Sequence, residues 1–127
     1  MPANYSIDGF SLRLADGIIE LRAEGDHGTG SSAAREPANA FTAIAPHLAS
    51  RNVLYDVRNA RYDFSDLEWE ELLRHTARIL KGYRTAYVVR SDQVPTANRL
   101  LAAHARLGDE AACFRTTAEA RDWLTAG

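Results

Sequence analysis

Phe10, Leu12 and Leu14 alternate with Ser11, Arg13 and Ala15, and beyond Asp16-Gly17 the alternation resumes as Ile19, Leu21 and Ala23 around Glu20 and Arg22. A period of two on both sides of an Asp-Gly pair predicts a β-hairpin with a two-residue turn. Its register sets Leu14 opposite Ile19, Leu12 opposite Leu21 and Phe10 opposite Ala23, while Arg13 faces Glu20 on the other side. One face is apolar and the other charged, which suits the outer part of a sheet.

The pattern then changes. Residues 24–36 are polar and rich in glycine, a connection before a helix that opens at Pro37. Phe41, Ile44 and Leu48 recur at helical spacing, and Pro46 shortens or kinks that helix. Residues 53–57 (Val-Leu-Tyr-Asp-Val) are nearly continuously apolar, as in a central strand covered on both faces. Ser65 and Glu68 form a capping box, Phe64 and Trp69 occupy the hydrophobic-staple positions, and Gly82 supplies the stop of the following helix. Its predicted buried face is Trp69, Leu72, Leu73, Thr76, Ile79 and Leu80.

A strand over 85–89, a helix over 95–107 closed by Gly108, a strand over 111–114 and a last helix from Thr117 repeat the rhythm. Strand and helix alternating through short loops require parallel pairing by right-handed crossovers. The predicted architecture is α/β: one domain over 1–127, with a mixed sheet of about five strands and about four helices. An antiparallel hairpin comes first, then parallel βαβ units.

Composition narrows the function classes. A 127-residue chain that is 46% hydrophobic and carries a net charge of −2 has enough apolar residues for one core and no general attraction to phosphate backbones. Asp8, Arg13, Asp16 and Glu20 interrupt the first twenty residues, and no apolar run approaches the ~20 residues of a membrane span, so the expectation is a cytoplasmic protein. Cys113 is the only cysteine and sits in the apolar strand 111–114, where an inert core thiol is expected. His27, His47, His75 and His104 share no metal-ligand spacing, and neither a metal nor a cofactor is expected.

Three features bear on binding. Arg58, Arg90 and Arg115 each follow an apolar strand, and in parallel sheets the carboxyl ends of strands meet the positive amino ends of helices. With Arg61 and Ser65 nearby, this rim is a candidate receptor for a carboxylate, a phosphate or an acidic partner loop. The plainer reading has Asp56, Asp63, Asp66 and Asp92 neutralising the arginines. Second, Gly28-Thr-Gly-Ser-Ser-Ala33 matches a dinucleotide fingerprint, with Asp56 near the ribose position, but the strand before it belongs to a hairpin and prolines interrupt its helix. Third, Trp69 and Trp123 lie on apolar helix faces and are expected in the core.

The element order, and the phrase Cys113-Phe-Arg-Thr-Thr-Ala-Glu-Ala-Arg-Asp-Trp-Leu124, resemble the STAS domain and in particular the SpoIIAA-like proteins. The resemblance implies a non-enzymatic regulator. In anti-sigma-factor antagonists of that family a serine is phosphorylated at the start of the helix after the central strand, within Asp-Ser-x-Gly. Ser65 matches that position, although Phe64 and Leu67 replace the aspartate and the glycine. The sequence thus supports first a regulatory protein that binds a protein partner or small anion at the carboxyl rim, with Ser65 as candidate phosphoacceptor. The alternative is a carrier of a small lipid- or nucleotide-type ligand, using the Gly28 loop or an apolar pocket under the first helix. A deep apolar cavity favours the carrier, and a packed core with an exposed arginine rim favours the regulator. Dimerisation is left open, although Arg13, Glu20 and Arg22 discourage edge pairing of the hairpin.

Overall fold

The computed structural model describes residues 4–7, 9–27 and 32–126, without the side chains of 32–36. Three antiparallel strands open the chain: β1 (Asn4–Ile7), β2 (Phe10–Ala15) and β3 (Ile18–His27). β2 and β3 pair in the register that the alternation predicts, Leu14 with Ile19 through Phe10 with Ala23. Asp16 and Gly17 turn the chain at φ of +52° and +76°, the left-handed pair that matches strand twist. On the outer face Arg13 Nε donates to Glu20 Oε1 at 2.6 Å. β1 was not predicted. It pairs with β2 and takes the edge position, so the sheet has six strands among the described residues, where the pattern indicated about five.

The remaining elements are α1 (Ser32–Ile44), β4 (Asn52–Tyr62), α2 (Asp66–Ile79), β5 (Arg84–Val88), α3 (Val94–Arg106), β6 (Ala111–Phe114) and α4 (Thr117–Thr125). β3 to β6 are all parallel and lie in chain order, β1-β2-β3-β4-β5-β6. A sheet that advances in one direction through right-handed crossovers places its crossover helices on one face. Accordingly Phe41 and Ile44 of α1, Leu80 after α2 and Ala97 of α3 share a core with Leu12, Ile19, Leu21, Val53 and Tyr87. The shorter α4 covers the other face, where Ala120 and Leu124 pack on Leu54, Ala86 and Val88.

Two positions differ from the pattern for local reasons. Pro37 lies inside α1 and not in its first turn; its missing N–H removes one bond from that helix. Pro46 falls in a short 3₁₀ turn (Ala45–His47) that ends the element. The Gly28–Ala33 motif lies largely outside the described residues. His104, expected near the core margin, is fully buried, and its Nε2 lies 2.7 Å from Tyr87 Oη. Burial lowers its pKa from the usual histidine value, against the opposing charge of Asp109.

Candidate functional site

β4 runs well past its apolar stretch. It pairs with β3 as far as Arg22–Asp56 and resumes at Glu24–Asn59, so it carries one extra residue, a β-bulge. β5 accompanies β4 only to Asp56–Val88. The later carbonyls of β4 therefore lack a strand on that side, and side chains beyond β5 take its place. Gln93 Nε2 donates to Val57 O at 2.8 Å and to Ala60 O at 3.3 Å. Arg90 Nη1 donates to Ala60 O at 3.0 Å and also to Arg58 O.

The bulge explains the arginine rim. Arg58 is not at a strand exit, because β4 continues to Tyr62. Its guanidinium grips Asp56, with Nε on Oδ1 at 3.1 Å and Nη2 on Oδ2 at 2.9 Å. Burial pushes the Asp56 pKa up, but the hydrogen bonds and charge of Arg58, with the charge of Arg22, outweigh it and hold the carboxyl below its usual range. This commitment also takes Asp56 out of the ribose-binding role that the glycine motif suggests. Arg90 uses Nε and Nη2 on Asp92, and hydrogen bonding to Arg90, together with its charge and that of Arg115, lowers the Asp92 pKa. Arg58, Arg90 and Arg115 thus share one rim, but the first two are occupied within the protein. Arg61 and Arg115 are exposed and form no ion pair among the described residues.

Ser65 caps α2. Its Oγ accepts from Glu68 N at 3.2 Å, and Glu68 Oε1 accepts from Ser65 N at 3.0 Å. Ser65→Ala removes one half of this reciprocal pair and should lower stability by about 1 kcal/mol, read from the denaturant midpoint. Ser65→Asp, which keeps an acceptor at the helix start, should lose much less.

The α2 face predicted as buried core is only partly so. Leu73 is buried, but Trp69, Leu72, Thr76 and Ile79 are half-buried because they line a cavity of about 290 Å³ between the helices and the sheet. The bulge contributes to its wall. Before the extra residue, Tyr55 and Val57 line the cavity; after it, Ala60 and Tyr62 do, so the alternation has changed parity. Tyr62, Phe64 and Trp69 form an aromatic cluster with centroids 5.2–5.6 Å apart, and His27 stacks on Tyr62 at 5.0 Å. Deeper, Tyr55 stacks on Tyr87 at 5.9 Å and meets Phe10 edge-on. Polar groups in the wall include His75, Thr76, Arg90, Asp92 and Gln93. Trp123 is half-buried on the other face, with the Arg84 guanidinium 3.8 Å above its ring. Trp69 therefore lines the cavity instead of filling the core, while Trp123 packs half-buried against the core of the other face and Cys113, also half-buried, against the first.

Comparison with known proteins decides the frame. One similar solved structure is an uncharacterised protein of the DUF3478 family with a SpoIIAA-like fold from Shewanella loihica PV-4. It is 18% identical with a TM-score of 0.57, over 91% of each chain. A second is the anti-sigma factor antagonist SpoIIAA in its unphosphorylated form, 17% identical with a TM-score of 0.59, over 93% of this chain and 97% of that one. The fold is SpoIIAA-like. No family model and no curated protein matches the sequence. On this SpoIIAA-like frame no described helix is long and apolar enough to cross a membrane. Among the described residues no group of three or more His, Cys, Asp or Glu could hold a metal ion.

Sequence reasoning placed Ser65 at the start of α2 and brought the rim arginines together. It offered an apolar pocket under the first helix only as the alternative, and missed the share of α2 in its wall and the part that Tyr55, Tyr62 and Gln93 play around β4. An apolar helical stripe looks the same whether its neighbours fill the space or leave it open. The one available signal was the aromatic density of residues 55–69, with two tyrosines, a phenylalanine and a tryptophan.

Proposed function

We propose that this chain is a non-catalytic binding protein that holds a small apolar ligand between its three crossover helices and the sheet. The cavity carries the reading. At about 290 Å³ it lies at the lower end of the volumes of small-molecule sites, and it is walled mainly by aromatic and aliphatic side chains with a few convergent polar groups. The internal engagement of Arg58 and Arg90 weighs in the same direction, because it removes two of the four arginines on which an anion site at the rim would rely.

Naphthalene titration tests this through the two indole N–H resonances. Trp69 lines the cavity and Trp123 lies on the opposite face, so the Trp69 signal should move saturably while the Trp123 signal stays. Ala97 is buried in α3 at the cavity wall. Ala97→Phe should fill the space and weaken naphthalene binding at least tenfold, by the lost contact area. Indole signals that ignore naphthalene would remove the reading.

A second reading is supported by exposed Ser65, Arg61 and Arg115 and by the likeness to an anti-sigma factor antagonist. In it the rim docks a protein partner and Ser65 accepts a phosphate at the start of α2, where the helix favours negative charge. A phosphate on the Ser65 peptide of protein isolated from its own host would support this reading, and its absence under all growth conditions would count against it.

A further inference from the structure

The walls of the cavity contain hydroxyl groups that the protein itself leaves unused. Tyr55 and Tyr62 line the space, and neither phenol has a hydrogen-bond partner among the described residues. Tyr87, by contrast, has His104 within hydrogen-bond distance. Both residues are half-buried, so each phenol is left to water until a ligand acceptor takes its place. Burial pushes the Tyr55 pKa up to about 12 and that of Tyr62 well above the usual value. Both are therefore neutral O–H donors at pH 7.

The cations near the cavity are poorly placed to receive an anion. Arg90 spends its N–H groups on Arg58 O, Ala60 O and Asp92. His27 Nε2 lies 3.1 Å from Glu24 O, and His75 is on the exposed side of the wall. A carboxylate drawn in beside Tyr55 would meet phenols and rings without a free positive charge, which disfavours it strongly. Size narrows the choice further. An apolar cavity of about 150 Å³ accepts benzene, so one of about 290 Å³ suits a fused pair of rings with a short substituent. Ring faces on Tyr55, Tyr62 and Trp69 complement such a shape.

We propose that the cavity selects a compact, uncharged, two-ring compound bearing a carbonyl oxygen, and that this oxygen accepts a hydrogen bond from Tyr55. The assignment rests on the reading of the cavity as a ligand site and specifies what that site prefers.

The test compares 2-acetylnaphthalene with 2-isopropylnaphthalene, which has the same outline without the oxygen, and with decanoate, followed through the Trp69 indole resonance. The wild-type protein should bind the ketone about fivefold more tightly than the hydrocarbon, the range of one net hydrogen bond. Tyr55→Phe should abolish that preference, so that the variant binds ketone and hydrocarbon about equally. Equal wild-type affinities for ketone and hydrocarbon overturn the assignment while leaving the cavity a ligand site. Tighter binding of decanoate also overturns it, in favour of an amphiphilic anion. If none of the three compounds moves the Trp69 signal, the reading of the cavity as a ligand site fails as well. The wild-type comparison needs no variant, so it holds even if Tyr55→Phe perturbs folding.

Discussion

Arg90→Ala should lower the stability of the protein by about 2–3 kcal/mol, measured by denaturant unfolding. Ala60 is fully buried, and the carbonyls of Arg58 and Ala60 receive Arg90 Nη1 because β5 no longer accompanies β4 at that level. Removing the donor strands acceptors that Gln93 serves only in part, and an unsatisfied buried carbonyl costs about 1–3 kcal/mol. Arg90→Lys should recover little. The guanidinium serves the carbonyls through Nη1 and Asp92 through Nε and Nη2 at once, a division a single ammonium cannot reproduce. An Arg90→Ala protein as stable as the wild type would return this arginine to the pool available for an external anion.

Asp56→Asn should cost about 2 kcal/mol at pH 7. Asp56 is 3% exposed and accepts both guanidinium bonds and the main-chain N–H of Arg58. Breaking a buried pair costs about 3–5 kcal/mol, and the one-third exposure of Arg58 lets that partner regain water and reduces the loss. The pH dependence follows from the lowered carboxyl pKa. A depressed acid contributes stability above its unfolded pKa, close to 3.9, and loses it as the pH falls through the folded value. The gap between wild type and Asp56→Asn should therefore be full at pH 7 and close below about pH 4. A gap unchanged down to pH 2 would show that the loss is steric and not ionic.

Both residues belong to the part of the chain that was hardest to read. The hairpin was legible because a strict alternation and one Asp-Gly turn permit a single register. The α2 start was legible because its capping box is written in two residues, Ser65 and Glu68. β1 was missed because four residues, Asn-Tyr-Ser-Ile, carry too little alternation to announce a strand; the Asp8-Gly9 pair after them was a second turn signal of the same kind. β4 was read as five residues and has eleven. Its second half, Arg-Asn-Ala-Arg-Tyr, is polar, and the bulge scrambles the period that would mark it. Arg58, expected at a strand exit, lies inside the longer β4, and only the early end of β5 turns Arg90 back toward the main chain.

The single extra residue in β4 acts as a phase shift written into the backbone. Were the same residues pleated strictly, with no bulge to absorb the extra one, Tyr62 would turn outward and Arg61 would take its place at the wall between helices and sheet. The aromatic lining and the outward charge of residues 60–62 thus depend on the backbone absorbing one residue at this point, whatever side chain that residue carries. Removing one amino acid between Asp56 and Asn59 would take out the bulge and restore regular pairing with β3, leaving Ala60 and Tyr62 on the same wall.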